Sequence, residues 1–186
     1  TIDDSDVDDH RAPIFEVCSL LPPEPLTLTS LERGQTRVDV QPTHACHVRV
    51  ERTDKRVYIR RGLNRNQGVP AHDSFILHPD GAIEGAINWD YEVITDIQAR
   101  PIDATRLVLR GGVFTTFANR MRQDIGYNYW NRGIQISRSN TEVVDLTHYV
   151  VGETAYGHPY RGFLAAAQCA DITWRNCFVS GHKTYE

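Results

Sequence analysis

The chain has 186 residues, of which 40% are hydrophobic and 24% are charged, and its formal net charge is −4 at pH 7. This composition supports a packed core and lacks the basic surface that nucleic-acid binding requires. Because no apolar run reaches about 18 residues, no membrane-spanning segment is expected either.

Residues 1–12 are rich in aspartate and have no apolar pattern, so we expect a solvated loop. Hard cations such as Ca²⁺ are bound by several carboxylate oxygens, which makes calcium one alternative for this segment. The spacing of an EF-hand loop is absent. We therefore expect no cofactor and no metal, with calcium as the exception to test at Asp3, Asp4, Asp6, Asp8 and Asp9.

Most of the first 60 residues alternate between apolar and polar side chains, which is the period of a β-strand. The predicted strands are short, and turn residues separate them. No segment has a helical period, so the chain is predicted to be all-β. The expected strands are Pro13–Ser19, Leu26–Leu31, Thr36–Val40, His47–Glu51 and Arg56–Arg60.

Residues 61–105 have a different pattern and are predicted to form an inserted loop or β-hairpin arm. Asp80-Gly81 is a strong hairpin signal between two apolar runs. Asn88–Ile94 is predicted to be a half-exposed strand. Trp89 and Tyr91 would share one face of that strand, where they could form a sugar-stacking platform or pack against a neighbouring strand.

A weak repeat follows residue 106. A shift of 29 residues aligns Arg132-Gly133 with Arg161-Gly162 and Val143 with Ile172, and it aligns Tyr149 with Phe178. An offset of 36 aligns Leu107 with Val143, so an earlier copy precedes these two and three copies are visible in all. A period of this length is typical of a solenoid, in which one unit cannot bury its own apolar face.

The third copy contains the sequence ADITWRNCFVSG, residues 170–181. With its small residue, apolar alternation and Asn176-Cys177, it resembles a rung of the right-handed parallel β-helix superfamily, which includes pectate-lyase-like and polygalacturonase-like proteins and phage tailspikes. The resemblance implies a β-helix with residues 1–60 as first coils or an N-terminal β region. It further implies coils at 106–186, the last of them cut off, and it does not cover the predicted arm at 61–105.

Polar segments follow the repeated strands, and the 29-residue register would bring Glu153 to His182 and Tyr156 to Tyr185. Carboxylate, imidazole and phenol groups within reach of one another can act as general acids and bases. The candidate catalytic residues are Glu153, Tyr156, His158, His182 and Lys183. The candidate substrate-binding residues are Trp89, Trp130, His148, Tyr160, Arg161 and Tyr185.

Family membership implies a secreted, cell-surface or virion protein that acts on a polysaccharide or oligosaccharide. Two reactions suit the residues: β-elimination on a uronate glycan, and glycoside hydrolysis, which requires two carboxylates. The alternative function is a non-catalytic carbohydrate-binding or adhesion module of a phage tail or cell-surface fibre.

Structural roles are open for several of these residues. His148 could be a buried, satisfied histidine, Tyr156 and Tyr185 a structural stack, and Arg132 and Arg161 corner residues that donate to turn carbonyls. Cys169 and Cys177 could be small buried side chains or form a disulfide. Because the repeat stops inside a coil at Glu186, we also expect a second chain or a homo-oligomer partner to cover that open end.

Overall fold

The computed structural model describes residues 1–7, 12–57, 67–117, 132–152 and 162–180. Within these ranges the protein is all-β, as predicted, and no helix occurs. Accordingly, no described helix is long and apolar enough to cross a membrane. The chain forms two compact units: the first comprises Thr1–Ser19 with Ala104–Glu186, and the second is Leu20–Asp103.

The described strands are short, with two exceptions in the second unit. They are β1 (Ile2–Asp3), β2 (Phe15–Val17), β3 (Cys46–Val57), β4 (Val69–Leu77), β5 (Ile83–Glu84), β6 (Asp96–Pro101), β7 (Leu107–Arg110), β8 (Val113–Phe117), β9 (Ile134–Ile136), β10 (Thr141–Val144), β11 (Thr147–Val151), β12 (Leu164–Ala166), β13 (Ile172–Arg175) and β14 (Phe178–Val179).

The first unit consists of three parallel sheets with the orders β1-β8-β11-β14, β7-β10-β13 and β2-β9-β12. The chain visits these sheets in a fixed sequence. It passes through β2, β7 and β8, then through β9, β10 and β11, and then through β12, β13 and β14. The second unit occupies the sequence between β2 and β7.

The register between successive strands differs from the predicted one. Thr141 pairs with Ile172 and with Leu107, so the offsets are 31 and 34 rather than 29 and 36. Ile134 pairs with Leu164, an offset of 30. Because side chains alternate with a period of two, the two-residue error left the predicted buried face of β10 unchanged. The predicted register of β12 was thus wrong by one residue, although Phe163, which it placed beside Ile134, is buried.

A left-handed residue directly follows the same strand of each of three successive passes, at the corner between two of the sheets. Gly111, Asp145 and Asn176 have φ angles of 73°, 59° and 53°. Glycine, asparagine and aspartate tolerate this conformation better than other residues do. Asn176 Nδ2 donates to Asp145 Oδ1 at 2.7 Å, so the corner side chains also bond to one another.

Side chains that point inward from the three parallel sheets form the core of the first unit. Each strand alternates between buried and more exposed positions, as the pattern of Val113–Phe117 illustrates. The buried hydrophobic cluster comprises Phe114, Ile134, Ile136, Val143, Leu146 and Phe163. Arg132 donates to the carbonyl oxygens of Val7 and Asp4, which confirms its predicted corner role.

The second unit is a four-stranded antiparallel sheet with the order β5-β4-β3-β6. Its buried residues include Val48, Val50, Phe75 and Leu77. The predicted hairpin at Asp80-Gly81 is confirmed: the amide of His78 donates to the carbonyl of Ala82 at 2.9 Å, and β4 and β5 pair on either side. The unit therefore has a core of its own.

Several strand boundaries differ from the prediction. The two strands expected near residues 47 and 56 are one strand, β3, with an irregularity between Arg52 and Arg56. Leu26–Leu31, Thr36–Val40 and Asn88–Ile94 are not strands; they contribute only the isolated bridges of Leu31 with Tyr91 and of Arg37 with Ala82. Strands β4 and β6 of the expected arm pair with β3, and β5 pairs with β4. The compact unit therefore begins at Leu20 rather than at residue 61.

Candidate functional site

Most of the predicted site residues lie outside the described residues. The predicted contacts of Glu153 with His182 and of Tyr156 with Tyr185 therefore stay predictions, although the register from which they were deduced is shifted by two residues in the neighbouring strands. The residues concerned are Trp130, Glu153, Tyr156, His158, Tyr160, Arg161, His182, Lys183 and Tyr185.

The strands that precede these residues lie side by side. Val151 pairs with Phe117 in the parallel pairing of β11 with β8, and β14 pairs with β11 on its other side. The carboxyl ends of the three strands are thus at one edge of one sheet, because the strands are parallel. In the sequence, these strand ends are followed by residues 118–131, 153–161 and 181–186, which hold the predicted residues.

His148 is the described member of the predicted set within the first unit, and it is buried. The residue is 1% exposed. The ring stacks on Phe163 with a centroid separation of 3.9 Å and an interplanar angle of 8°. Nε2 lies 3.0 Å from Thr116 Oγ1, within hydrogen-bond distance. This environment favours the structural role over direct contact with a ligand.

The burial of His148 also controls its charge. Desolvation lowers the pKa of the imidazole from 6.5 to about 4, because the charged form loses its hydration. Nδ1 is buried without a hydrogen-bond partner among the described atoms. The ring is therefore neutral at physiological pH and is poorly suited to binding an anion.

A buried ion pair joins Asp4 of the N-terminal segment to Arg132, two residues before β9. Arg132 Nε lies 2.8 Å from Asp4 Oδ2, and both side chains are almost fully buried. The contact is ionic rather than a well-directed hydrogen bond, since neither atom meets the geometry of one. Asp4 Oδ1 accepts from the amide of Phe117 at 2.8 Å. Both carboxylate oxygens of Asp4 therefore make contacts within the first unit.

Within the second unit, Tyr91 is a core residue rather than part of an exposed platform. It is 0% exposed, and its hydroxyl donates to Asp73 Oδ2 at 3.0 Å. The Asp73 carboxylate also accepts from Asn88 and from the amide of Trp89. Burial, followed by the neighbouring Asp73, raises the pKa of the Tyr91 hydroxyl well above its usual range.

Trp89 packs against the core of the second unit and is partly buried. Lys55 Nζ lies 4.8 Å from the centroid of its ring, a cation–π arrangement. Trp89 and Tyr91 therefore do not form the joint stacking surface that the strand prediction required. Whether Trp89 binds a substrate stays a prediction.

An exposed aromatic pair in the first unit is not among the residues predicted from the sequence. Tyr149 and Phe178 are 48% and 54% exposed, and their ring centroids are 5.6 Å apart. The repeat aligns these two residues with each other. Strand alternation then predicts that they lie on the side of the sheet opposite to that of the buried His148. The repeat alignment and the strand alternation together were the sequence signal for this exposed pair.

Among the described residues, no group of three histidine, cysteine, aspartate or glutamate side chains could hold a metal ion. Asp8 and Asp9 of the calcium alternative lie outside the described residues. Cys169 and Cys177 carry thiols rather than a disulfide, and their sulfur atoms lie near the carbonyl oxygens of Ile136 and Val143, respectively.

Comparison with known proteins adds no relative. No family model matches the chain, and neither the curated proteins nor the solved structures include a significantly similar one.

Proposed function

We propose that the first unit is part of a right-handed parallel β-helix and that the protein degrades an extracellular polysaccharide. The observation that carries this proposal is the repeated order of the three parallel sheets. From β7 onward, paired strands of one sheet are offset by 30 to 34 residues, and a left-handed corner recurs at Gly111, Asp145 and Asn176. Such regularity is expected when equivalent coils stack along one axis.

The shared edge of β8, β11 and β14 supports the location of the active site. Segments that follow neighbouring parallel strands begin close together, so their functional groups can cooperate across coils. Within those segments, Glu153 and His182 are the candidate acid and base. Lys183 and Arg161 are the cations available to neutralise a uronate carboxylate in an elimination, and a hydrolytic reaction would require a second carboxylate beside Glu153.

A panel of purified polysaccharides tests the proposal. The protein is incubated with polygalacturonate, alginate, xylan, galactan and cellulose, and both ultraviolet absorbance of an unsaturated product and new reducing ends are followed. We expect reducing ends on at least one glycan, with absorbance only if the reaction is elimination. Glu153→Gln and His182→Asn should each lower the rate about 100-fold or more, as expected for general acid–base groups.

Glu32→Gln is the matched control, because Glu32 is an exposed carboxylate of the second unit. Its activity should equal that of the wild type. If a glycan binds but no product forms, the alternative function of a carbohydrate-binding or adhesion module replaces the enzyme. Equal activity of Glu153→Gln and the wild type would show that the candidate acid is wrong.

A further inference from the structure

The outward surface of β8, β11 and β14 is unusually apolar. On this surface Val113 is 42% exposed, Tyr149 48%, Val151 38% and Phe178 54%. The outward side of a sheet that is buried on its other side normally carries polar residues. We call this surface the outer aromatic face, and it consists of Val113, Thr115, Phe117, Thr147, Tyr149, Val151 and Phe178.

The alternation of the strands explains why these side chains point away from the core. Phe114, Thr116 and His148 occupy the intervening positions and are buried. Because His148 pairs with Phe114 and its neighbour Tyr149 pairs with Thr115, the exposed residues of adjacent strands form rows on one side of the sheet. The face is therefore held by strand pairing rather than by a loop.

The chemistry of the face combines aromatic rings with hydroxyl groups. The rings of Tyr149 and Phe178 form a tilted pair with centroids 5.6 Å apart. Thr147 pairs with Phe178 on one side and with Val113 on the other, so a hydroxyl lies between apolar neighbours. An aromatic ring can stack on the C–H surface of a sugar, while neighbouring hydroxyls exchange hydrogen bonds with sugar hydroxyls.

None of the seven positions of the outer aromatic face carries a charged side chain, and the neighbouring strand β1 adds a carboxylate beside the face, because its exposed Asp3 pairs with Thr115. The sheet β7-β10-β13 differs, since Glu142 on it is paired with Arg106 at 3.5 Å and with Arg175 at 2.9 Å. A surface without charge matches an uncharged partner, because a carboxylate brought onto it would lose hydration without gaining a counter-charge. Exposed apolar surface of this kind marks an interaction site.

We propose that the outer aromatic face binds an uncharged glycan chain, with Tyr149 and Phe178 as the stacking residues. This inference rests on the proposed function, in that it names the substrate class of the same protein. A neutral glycan has no uronate group from which to eliminate, so hydrolysis is the reaction consistent with this surface.

Binding to defined glycans tests the proposal. Affinity gels containing xylan, soluble galactan or polygalacturonate, together with pull-down on insoluble cellulose, compare the wild type with Tyr149→Thr/Phe178→Thr. Threonine preserves the strand propensity and removes both rings. We expect the wild type to prefer at least one neutral glycan over polygalacturonate, and the double variant to bind that glycan about tenfold more weakly or worse.

Two further variants serve as controls. Tyr149→Phe keeps the ring and should bind the glycan as the wild type does. Trp174→Thr removes an aromatic residue of β13 that is 46% exposed and lies outside the face, and it should also leave binding unchanged. Circular dichroism and thermal unfolding show whether each variant is folded, and Tyr149→Thr alone replaces the double variant if that protein unfolds.

The outcomes separate this inference from the proposed function. Glycan binding that is equal in the wild type and the folded ring variants overturns the inference, and so does a preference for polygalacturonate that depends on the two rings. A wild-type dimer that becomes monomeric in the double variant, without a change in glycan binding, overturns it in favour of a second copy of the chain. Ring-dependent binding without product formation retains the glycan site and rejects only the enzyme.

Discussion

At the scale of single residues, His148 shows how burial changes the role of a reactive side chain. Its ring lies between the Phe163 ring and the hydroxyl of Thr116, and its Nδ1 has no described partner. A charged imidazole there would lack both hydration and a counter-ion, so the neutral form is favoured. His148 thus contributes packing to the first unit, and protonation of its ring destabilises the folded state.

This environment predicts an acid sensitivity that begins well above the pKa of the carboxylates. The pKa of His148 is about 4 in the folded protein, compared with about 6.5 in an unfolded chain. Between these two values the unfolded state binds more protons, so the free energy of unfolding falls as the pH is lowered. We expect His148 to account for a loss of about 3 kcal/mol across this window.

Chemical denaturation at a series of pH values, with separate probes for the two units, measures the effect. His148→Phe should reduce the pH dependence of the first unit by about one bound proton. Thr116→Val is the matched control: it removes the hydrogen-bond partner but keeps the titrating ring, so the variant should be less stable yet retain the pH dependence. An unchanged pH dependence in His148→Phe would contradict the assignment.

At the scale of elements, the corners determine where the short strands of the first unit end. A strand can turn sharply into the next sheet when one residue adopts the left-handed conformation, and Gly111, Asp145 and Asn176 do so at corresponding positions. Asp145 is also bonded by Arg110 at 3.2 Å and by Asn176. The left-handed backbone conformation of Asp145 and the contacts of its side chain therefore both contribute to the same corner.

Two substitutions of Asp145 separate these contributions. Asp145→Gly and Asp145→Val both remove the contacts to Arg110 and Asn176, but only glycine adopts a positive φ without a steric penalty. We expect the valine variant to be less stable than the glycine variant by about 2 kcal/mol. The free energy of unfolding of the first unit, measured in denaturant, gives the difference. Equal stabilities would argue against the left-handed corner.

At the scale of the whole molecule, the chain contains two units with different strand pairing. The first is built from parallel strands and the second from antiparallel strands, and each has its own buried hydrophobic cluster. Because the antiparallel unit is continuous in sequence from Leu20 to Asp103, its strands can pair without residues from the other unit. It meets the requirements of an independently folding insertion.

We therefore expect a polypeptide of residues 20–103 to fold by itself. It should unfold in one cooperative transition and protect the amides of β3 and β4 from hydrogen exchange. Val50→Asp, which places a charge at a fully buried position, should abolish folding. Val93→Asp is the control, since Val93 is 57% exposed. A broad transition without protected amides would show that the unit depends on the rest of the chain.

Local patterns in the sequence were sufficient for the all-β class and for the hairpin at Asp80-Gly81. These features depend on side-chain alternation and on turn chemistry, which act over a few neighbouring residues. The burial of His148 was foreseen as one of two alternatives for the same reason, because it lies in an alternating strand.

Only the tertiary structure decided the register, the boundaries of the inserted unit and the surroundings of Trp89 and His148. Apolar positions two residues apart give the same face, so the sequence could not separate an offset of 29 from one of 31. Leu26–Leu31 alternates like a strand but forms only the isolated bridge of Leu31 with Tyr91. A strand also requires a neighbouring segment whose backbone amides and carbonyls pair with it, and alternation alone does not provide one. The exposure of Tyr149 and Phe178 likewise depended on which side of the sheet the folded chain buries.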